Sequence, residues 1–191
     1  NRALKPTERN THLDIEVDRQ RWMGPNKHII IYYVAAKRLL NFVGTIEQDT
    51  WTGESWTDRG DVKDLRTAFI DWDPNLRAII ETIDETFIWG LFDRAPLSRW
   101  SVGRVTLLGD ACHPMLPFMA QGAAQALEDG VSLTVCLTTI DDVPTALSHY
   151  EKIRLPRTSR IQTMSAANKN RFQLPDGPAP RGRDGKKAEG R

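Results

Sequence analysis

Alternation of apolar and polar residues in the first part of the chain predicts β-strands. Residues 11–18, THLDIEVD, alternate well enough to predict a strand. Residues 27–49 form two β-rich runs joined by a short turn near Ala35 to Lys37. Residues 87–93, FIWGLFD, predict a further strand, and residues 104–110, RVTLLGD, predict a short buried one.

The intervening residues change to the period of a helix. Val62, Leu65 and Phe69 share one helical face, and Asp61 has the position and the side chain of an N-cap. A second short helix is predicted to begin with Asp73 as its cap and Pro74 at its first position. Its inward-facing residues are expected to be Leu76, Ile79, Ile80 and Ile83.

Two longer helices follow the last predicted strand. One is expected from about Gln121 to Leu137, and the other from near Pro144, with Asp142 as its cap, towards Asn170 with a kink at Pro156. The order sheet, helices, strand, strand, helix, helix predicts an α+β fold. On the last helix, a solvated or interface stripe is expected at Arg154, Arg157 and Arg160.

Composition narrows the class of protein. The chain has 191 residues, of which 40% are hydrophobic, and a formal net charge of +1, which argues against a nucleic-acid-binding surface. No apolar run approaches the roughly 18 residues that a membrane helix needs. Cys112 and Cys136 have no disulfide or metal spacing, which favours a reduced, cytoplasmic protein. Because the sequence does not begin with Met, we expect it to be the C-terminal part of a longer protein.

Residues 103–130, GRVTLLGDACHPMLPFMAQGAAQALEDG, combine the features of a ligand site. Asp110 follows a predicted strand end, where α/β folds commonly bind ligands, and Pro117 stiffens the loop after it. Gly122, Ala123 and Ala124 open a helix with almost no side-chain bulk, so that an anionic group could reach its free N–H groups. The alternative is a turn-capping acid followed by a close helix–sheet contact, and the residues alone leave both open.

This stretch resembles the second flavin-contact motif of the group A FAD-dependent aromatic hydroxylases, the relatives of salicylate hydroxylase and 3-hydroxybenzoate hydroxylase. Further similar segments are WMGPNKHIIIYY, RLLNFVG, LFDRAPLSRW, YEKIRLPRTSRIQ and FQLPDGP. The resemblance implies that Asp110, in the turn with Gly109, holds the ribityl chain of FAD and that Pro117 lies beside the reactive edge of the isoalloxazine. The N–H groups of Ala123 and Ala124, after Gly122, would face the pyrimidine carbonyl.

The resemblance covers only the C-terminal half of such an enzyme. It implies a partial substrate-binding domain at residues 1–100, the C-terminal part of the FAD-binding domain with closing helices at 101–173, and an extended or disordered tail at 174–191. No GxGxxG unit is present, so the N-terminal dinucleotide-binding half is expected to be a missing partner. Without it the chain would bind FAD poorly. The alternative is a truncated, non-catalytic fragment.

His28 and Tyr32 are four residues apart on a predicted strand, which directs both side chains to one face. A histidine hydrogen-bonded at a sheet edge would give the same pattern. By the resemblance, His28 helps deprotonate a substrate phenol and Gln121 assists. The implied activity is hydroxylation of a small phenolic acid with FAD, NAD(P)H and O₂. The residues do not distinguish salicylate, 3-hydroxybenzoate and hydroxylated pyridine acids, or NADH from NADPH.

No metal site is predicted. Cys112 and His113 are adjacent, but neighbouring residues on an extended chain point apart, and no second ligand pair is present.

Overall fold

The computed structural model describes residues 3–4, 19–48, 55 and 57–175. It divides into two compact units, the first formed by residues 1–90 with 172–191 and the second by residues 91–171. The combination of antiparallel strands with separate helices confirms the expected α+β fold. The strand expected at 11–18 and almost all of the tail expected at 174–191 lie outside the described residues. The assignment of 1–100 and 101–173 to substrate and FAD domains stays a prediction.

The first unit contains an antiparallel sheet of four described strands in the order β1-β4-β3-β2. The strands are β1 (Ala3–Leu4), β2 (Arg19–Gly24), β3 (Lys27–Val34) and β4 (Leu39–Ile46). Between β3 and β4, the backbone has φ of 53° at Ala35, 54° at Ala36 and 65° at Lys37. This left-handed turn lies where the sequence predicted one, and it reverses the chain so that β3 and β4 pair along their full length.

One face of the sheet packs on two short helices, α1 (Val62–Ala68) and α2 (Pro74–Glu81). The helices begin where expected, because the Asp61 carboxylate accepts a hydrogen bond from the Lys63 N–H at 2.8 Å and Asp73 accepts one from the Asn75 N–H at 2.8 Å. The buried core comprises Ile29, Ile31, Leu40, Phe69, Leu76, Ile79, Ile80 and Ile83. The burial predicted for Leu76, Ile79, Ile80 and Ile83 is confirmed, although α2 ends at Glu81 and Ile83 lies just after it.

Two sequence predictions of strands were wrong in extent. A strand was expected at 87–93, but only Phe87 lies in a strand. It ends β6 (Thr86–Phe87), which pairs with β5 (Arg59–Gly60). Of the strand expected at 104–110, only β8 (Val105–Thr106) forms, paired with β7 (Ser101–Val102), and Val105 is 68% exposed rather than buried. A strand extends only as far as a neighbouring strand pairs with it, and the partners β5 and β7 are each two residues long.

The second unit is built on two long helices, α3 (Gly122–Thr139) and α4 (Val143–Phe172), the last residue of which belongs to the first unit. Both confirm the predicted helices. The Asp142 carboxylate accepts a hydrogen bond from the Thr145 N–H at 3.0 Å, and α4 continues through Pro156. The core of this unit comprises Trp100, Cys112, Cys136, Ala146 and Tyr150. Within the described ranges, no helix has the length and apolar character needed to cross a membrane.

Leu76→Ala should lower the free energy of unfolding by about 2–5 kcal/mol, because it removes a fully buried side chain from a packed core. Ile70→Ala, at a position 57% exposed, should change it by no more than about 0.5 kcal/mol. Urea denaturation followed by circular dichroism measures both. Equal effects of the two substitutions would contradict the core described here.

Candidate functional site

A glycine with a left-handed backbone begins the turn that carries Asp110. Gly109 has φ of +62°, and a Cβ atom there would lie 3.3 Å from the Cβ of Ala126. Residues Gly109–Ala111 form a single 3-10 turn, and the N–H groups of Cys112 and His113 both donate to the Gly109 carbonyl at 3.0 Å. Conformation and space therefore both favour glycine at this position.

The turn brings the Asp110 carboxylate close to the start of α3. A Cβ atom at Gly122 would lie 4.0 Å from Oδ1 of Asp110. Asp110 is exposed, and within the described part of the chain its carboxylate oxygens accept no hydrogen bond. The positive end of the helix dipole stabilises an acid at this location. An exposed acceptor and a helix N-terminus thus border the same space.

The N-terminus of α3 is open. Gln121 precedes the helix without a capping hydrogen bond from its side chain, and the Gln125 N–H makes the first helical bond, to the Gln121 carbonyl at 2.9 Å. The N–H groups of Gly122, Ala123 and Ala124 therefore have no acceptor within the helix. Ala123 and Ala124 are exposed and carry only methyl groups. A flat group with acceptor atoms could approach these amides closely.

The loop before α3 carries Pro117 on the surface. A second 3-10 turn, Pro117–Met119, ends at Ala120 with φ of 54°, and the Ala120 N–H donates to the Pro117 carbonyl at 3.0 Å. Phe118 is buried and anchors this turn. Pro117 itself is exposed and cannot donate a backbone hydrogen bond.

Side chains of α4 fix the same loop from the protein interior. The Gln162 amide donates to the carbonyls of Arg94 and Pro114, both at 2.9 Å, and the Ser165 hydroxyl donates to the Leu116 carbonyl at 2.5 Å. Gln162 and Ser165 are 2% and 0% exposed. Neither residue was predicted from the sequence, because nothing in the local pattern of a helix shows which distant carbonyls its polar residues contact.

A buried carboxylate lies behind the Asp110 turn. Oδ2 of Asp129 accepts hydrogen bonds from the Gly109 N–H at 3.0 Å and from Nε2 of His113 at 2.6 Å. Its Oδ1 accepts one from Nε of Arg154 at 2.7 Å. Asp129 and Arg154 are 0% and 3% exposed, so that α3, α4 and the turn meet at one ion pair shielded from water.

Arg154 has further partners that hold its guanidinium in place. Nη1 donates to Oε2 of Glu128 at 2.5 Å, and Nη2 donates to Oε1 of Gln125 at 2.8 Å. Arg157 donates to the same Glu128 carboxylate at 2.8 Å. Hydrogen bonds from Arg157 and then Arg154 lower the pKa of Glu128 to about 2. A solvated or interface stripe was expected here, and Arg154 is not solvated: it is buried, because its charge is neutralised by two acids. An interface role stays a prediction.

The Asp129 carboxyl is held in its charged form. Burial alone would raise its pKa, but hydrogen bonds from Arg154, His113 and the Gly109 amide together lower the pKa below its ordinary value. One sequence signal pointed to this cluster. Glu128 and Asp129 are the only charged residues in α3, and two adjacent acids in an otherwise uncharged helix indicate specific partners.

Cys112, His113 and Asp129 lie together, contrary to the geometry assumed from the sequence. One possible ligand atom from each lies within 4.8 Å of the others, because the chain forms a 3-10 turn here instead of running extended. Burial and the nearby Asp129 raise the pKa of the Cys112 thiol to about 12, whereas metals bind thiolates. The Asp129 oxygens already accept hydrogen bonds from Arg154, His113 and Gly109. These contacts favour a hydrogen-bonded cluster.

The first unit contains His28 and Tyr32. Both lie on the face of β3 opposite to Ile29 and Ile31, which belong to the core. His28 is 1% exposed, and its ring contacts Phe172 edge-on with 5.3 Å between ring centroids. Tyr32 is 36% exposed.

The surroundings of His28 keep its imidazole neutral. Burial and then the positive charge of Arg21 lower its pKa to about 4. Arg21 stacks on Phe172, with 4.3 Å between its guanidinium carbon and the ring centroid. Nε2 of Gln173 lies 3.5 Å from Nδ1 of His28. At neutral pH a neutral ring can accept a proton, but at this pKa it is a weak base.

Comparison with known proteins gives a consistent set of similarities. The model of the FAD-binding domain family matches residues 42–165. A 3-amino-4-hydroxybenzoate 2-monooxygenase of Streptomyces platensis is 40% identical over 164 residues, which are 85% of this chain and 41% of that protein. A 6-hydroxynicotinate 3-monooxygenase of Bordetella bronchiseptica is 41% identical over 152 residues, 78% of this chain and 39% of that protein.

A solved structure of an aromatic hydroxylase is also similar to this chain. A salicylate hydroxylase in complex with substrate superposes with a TM-score of 0.75 and 25% identity, over 81% of this chain and 40% of that chain. The chain thus spans about 40% of the length of the curated relatives it matches.

Acid should destabilise the second unit through Asp129. Its pKa is lower in the folded protein than the value of about 3.9 in an unfolded chain, so this acid adds stability above that pH. The contribution is lost as the pH falls through the folded pKa. Asp129→Asn should therefore lower stability at pH 7 and flatten its dependence on pH below about 4.

Urea unfolding at pH 7, 4 and 3 measures this effect. Asp141→Asn, a change at an exposed acid of the same unit, should leave the pH dependence as in the parent protein. Parallel curves for the parent and Asp129→Asn would refute the assignment.

Proposed function

Since the chain belongs to the FAD-binding domain family, within the FAD-dependent aromatic hydroxylases, we propose that it carries the ring-facing half of an FAD site. The complete protein would be a monooxygenase that hydroxylates a small phenolic acid with NAD(P)H and O₂. One observation carries this proposal: the exposed Asp110 carboxylate lies beside the uncapped start of α3, whose first three residues carry no side chain larger than a methyl group.

The residues present suit the flavin end of the cofactor. Asp110 would accept hydrogen bonds from ribityl hydroxyls, and the N–H groups of Ala123 and Ala124 would donate to the pyrimidine carbonyl next to Gly122. Aligned helix amides stabilise negative charge on that part of the ring without reorganising. When bound, FAD supplies the redox chemistry that activates O₂. Pro117 would border the ring without offering a competing backbone donor.

The names of the relatives support an aromatic acid as substrate. 3-Amino-4-hydroxybenzoate and 6-hydroxynicotinate each combine a carboxylate with a ring hydroxyl. We assign His28 as the acceptor of the ring-hydroxyl proton, with Tyr32 on the same strand face and Gln121 assisting. The low pKa of His28 makes it a weak base in the structure described here. A bound carboxylate would raise that pKa and favour proton transfer.

The exposed face of α3 is evidence for the proposal that an N-terminal half packs on this chain. Leu127, Val131 and Val135 repeat every four residues and are 74%, 67% and 54% exposed. A row of exposed apolar side chains on one helix face is typical of a surface that another protein segment covers. We propose that an N-terminal dinucleotide-binding half covers this face and binds the ADP part of FAD. A cytoplasmic location, expected from the two cysteines, stays a prediction.

Fusing the chain to the N-terminal part of the Streptomyces platensis relative that precedes the matched segment should give a yellow, FAD-containing protein. Asp110→Ala in the fusion should weaken FAD binding by about 10- to 100-fold, the range for a lost hydrogen bond to a charged group. Quenching of flavin fluorescence measures the affinity.

Asp141→Ala, at an exposed acid outside the turn, is the matched control and should bind FAD like the parent fusion. Unchanged affinity in Asp110→Ala would exclude the assigned role. A folded fusion that takes up no FAD would favour the non-catalytic alternative.

In the FAD-loaded fusion, phenolic acids should stimulate NAD(P)H oxidation, and benzoate, which lacks the ring hydroxyl, should not yield a hydroxylated product. His28→Asn should lower kcat by about 10²- to 10⁴-fold, the usual contribution of general base catalysis, with flavin content unchanged. His149→Asn, at an exposed position, is the control. Full activity in His28→Asn would remove His28 from the mechanism.

A further inference from the structure

Asp129 holds the turn on both sides of Asp110. Through Oδ2 it accepts the Gly109 N–H, directly before Asp110, at 3.0 Å, and Nε2 of His113, three residues after Asp110, at 2.6 Å. The Gly109 carbonyl in turn accepts the His113 N–H at 3.0 Å. The backbone that carries the exposed Asp110 is thus closed into a small ring of hydrogen bonds around one buried carboxylate.

The position of Asp129 is itself fixed by α4. Its Oδ1 accepts Nε of Arg154 at 2.7 Å, and the other nitrogens of that guanidinium are bound to Glu128 and Gln125. Because the guanidinium is planar and engaged on every side, it defines the plane and the location of the carboxylate. A continuous set of contacts therefore runs from α4 through Arg154 and Asp129 to the Asp110 turn.

We propose that Asp129 is the positioning residue of the flavin-contact turn, which it holds so that the Asp110 carboxylate meets the ribityl chain beside the start of α3. The inference rests on the function proposed above, because it concerns how that site is kept in shape. Asp129 does not touch the cofactor. Its hydrogen-bonding capacity is used within the protein, and it acts through the backbone at Gly109 and through His113.

Asp129→Asn tests the hydrogen bonds with little change in shape. An asparagine amide has the same volume as the carboxylate but only one oxygen. It can therefore accept the hydrogen bond from Arg154, or those from Gly109 and His113, but not both sets at once. Asp142→Asn is a matched control, since it removes the same charge from the same unit where Asp142 binds Thr145 and not the turn.

Amide hydrogen exchange of the chain itself, followed by NMR, reads the turn directly. In Asp129→Asn the amides of Gly109, Cys112 and His113 should exchange at least about tenfold faster, with the amides of the middle of α4 unchanged. Asp142→Asn, whose side-chain oxygen can still accept the Thr145 N–H, should leave the turn as it is. Unaltered exchange at Gly109 and His113 in Asp129→Asn would overturn the proposal.

The FAD-loaded fusion provides the second readout. Asp129→Asn should weaken FAD binding about tenfold or more and shift the visible circular dichroism band of the flavin. Cys136→Ala, a buried change in the same helix, should lower the melting temperature while altering neither quantity by more than about twofold. Equal effects of the two substitutions, or faster turn exchange with unchanged FAD affinity, would reduce Asp129 to a general structural role and refute the proposal.

Two outcomes separate this inference from the proposed function. If the parent fusion binds no FAD, the function fails, and the exchange experiment still decides whether Asp129 holds the turn. If Asp129→Asn does not fold, Arg154→Lys keeps the positive charge but loses the planar guanidinium that binds Asp129, Glu128 and Gln125 together. That variant should then show the faster turn exchange, and normal exchange in it would overturn the proposal.

Discussion

A carboxylate removed from water remains charged only if the protein supplies donors for its oxygens, and Asp129 receives them from three separate places. The Gly109 amide, the His113 ring and the Arg154 guanidinium are 20, 16 and 25 residues away from it in the sequence. Without Arg154 the buried charge would lose its counter-ion, and without the Gly109 amide or the His113 ring Oδ2 would lose a donor, each at a cost in free energy. The turn, α3 and α4 can therefore adopt only the arrangement in which all three meet.

This constraint explains why α4 carries polar residues on its buried side. Glu151 accepts hydrogen bonds from the N–H groups of Trp100 at 2.8 Å and Ser101 at 2.6 Å. Further along the helix, Gln162 and Ser165 bind carbonyls of the loop that leads to α3. The loop makes few backbone hydrogen bonds of its own, so its shape depends on a rigid helix that presents donors at fixed spacing. Apolar packing, by contrast, holds the sheet and helices of the first unit.

The features predicted from sequence are those that depend on near neighbours. Asp61 and Asp73 cap their helices through amides two residues away, and alternation in β3 depends only on the residues beside each position. The extent of β8 and the burial of Arg154 depend instead on distant segments, and neither was predicted. The proximity of Asp110 to Gly122 came from the resemblance of a whole motif, because eleven residues separate them and no local rule sets that path.

Asp110 and Asp129, two acids of the second unit, show how environment determines chemical role. Both carboxylate oxygens of Asp129 accept hydrogen bonds from protein donors, so this buried acid does not bind a ligand. Asp110 is exposed, and no described residue donates to it. Next to it, the N–H groups of Gly122, Ala123 and Ala124 precede the first helical bond of α3. A ligand complementary to this space must donate hydroxyl hydrogens at one end and accept hydrogen bonds on a flat group at the other. A polyol chain attached to a carbonyl-bearing ring meets both requirements, whereas a simple anion would be repelled by Asp110.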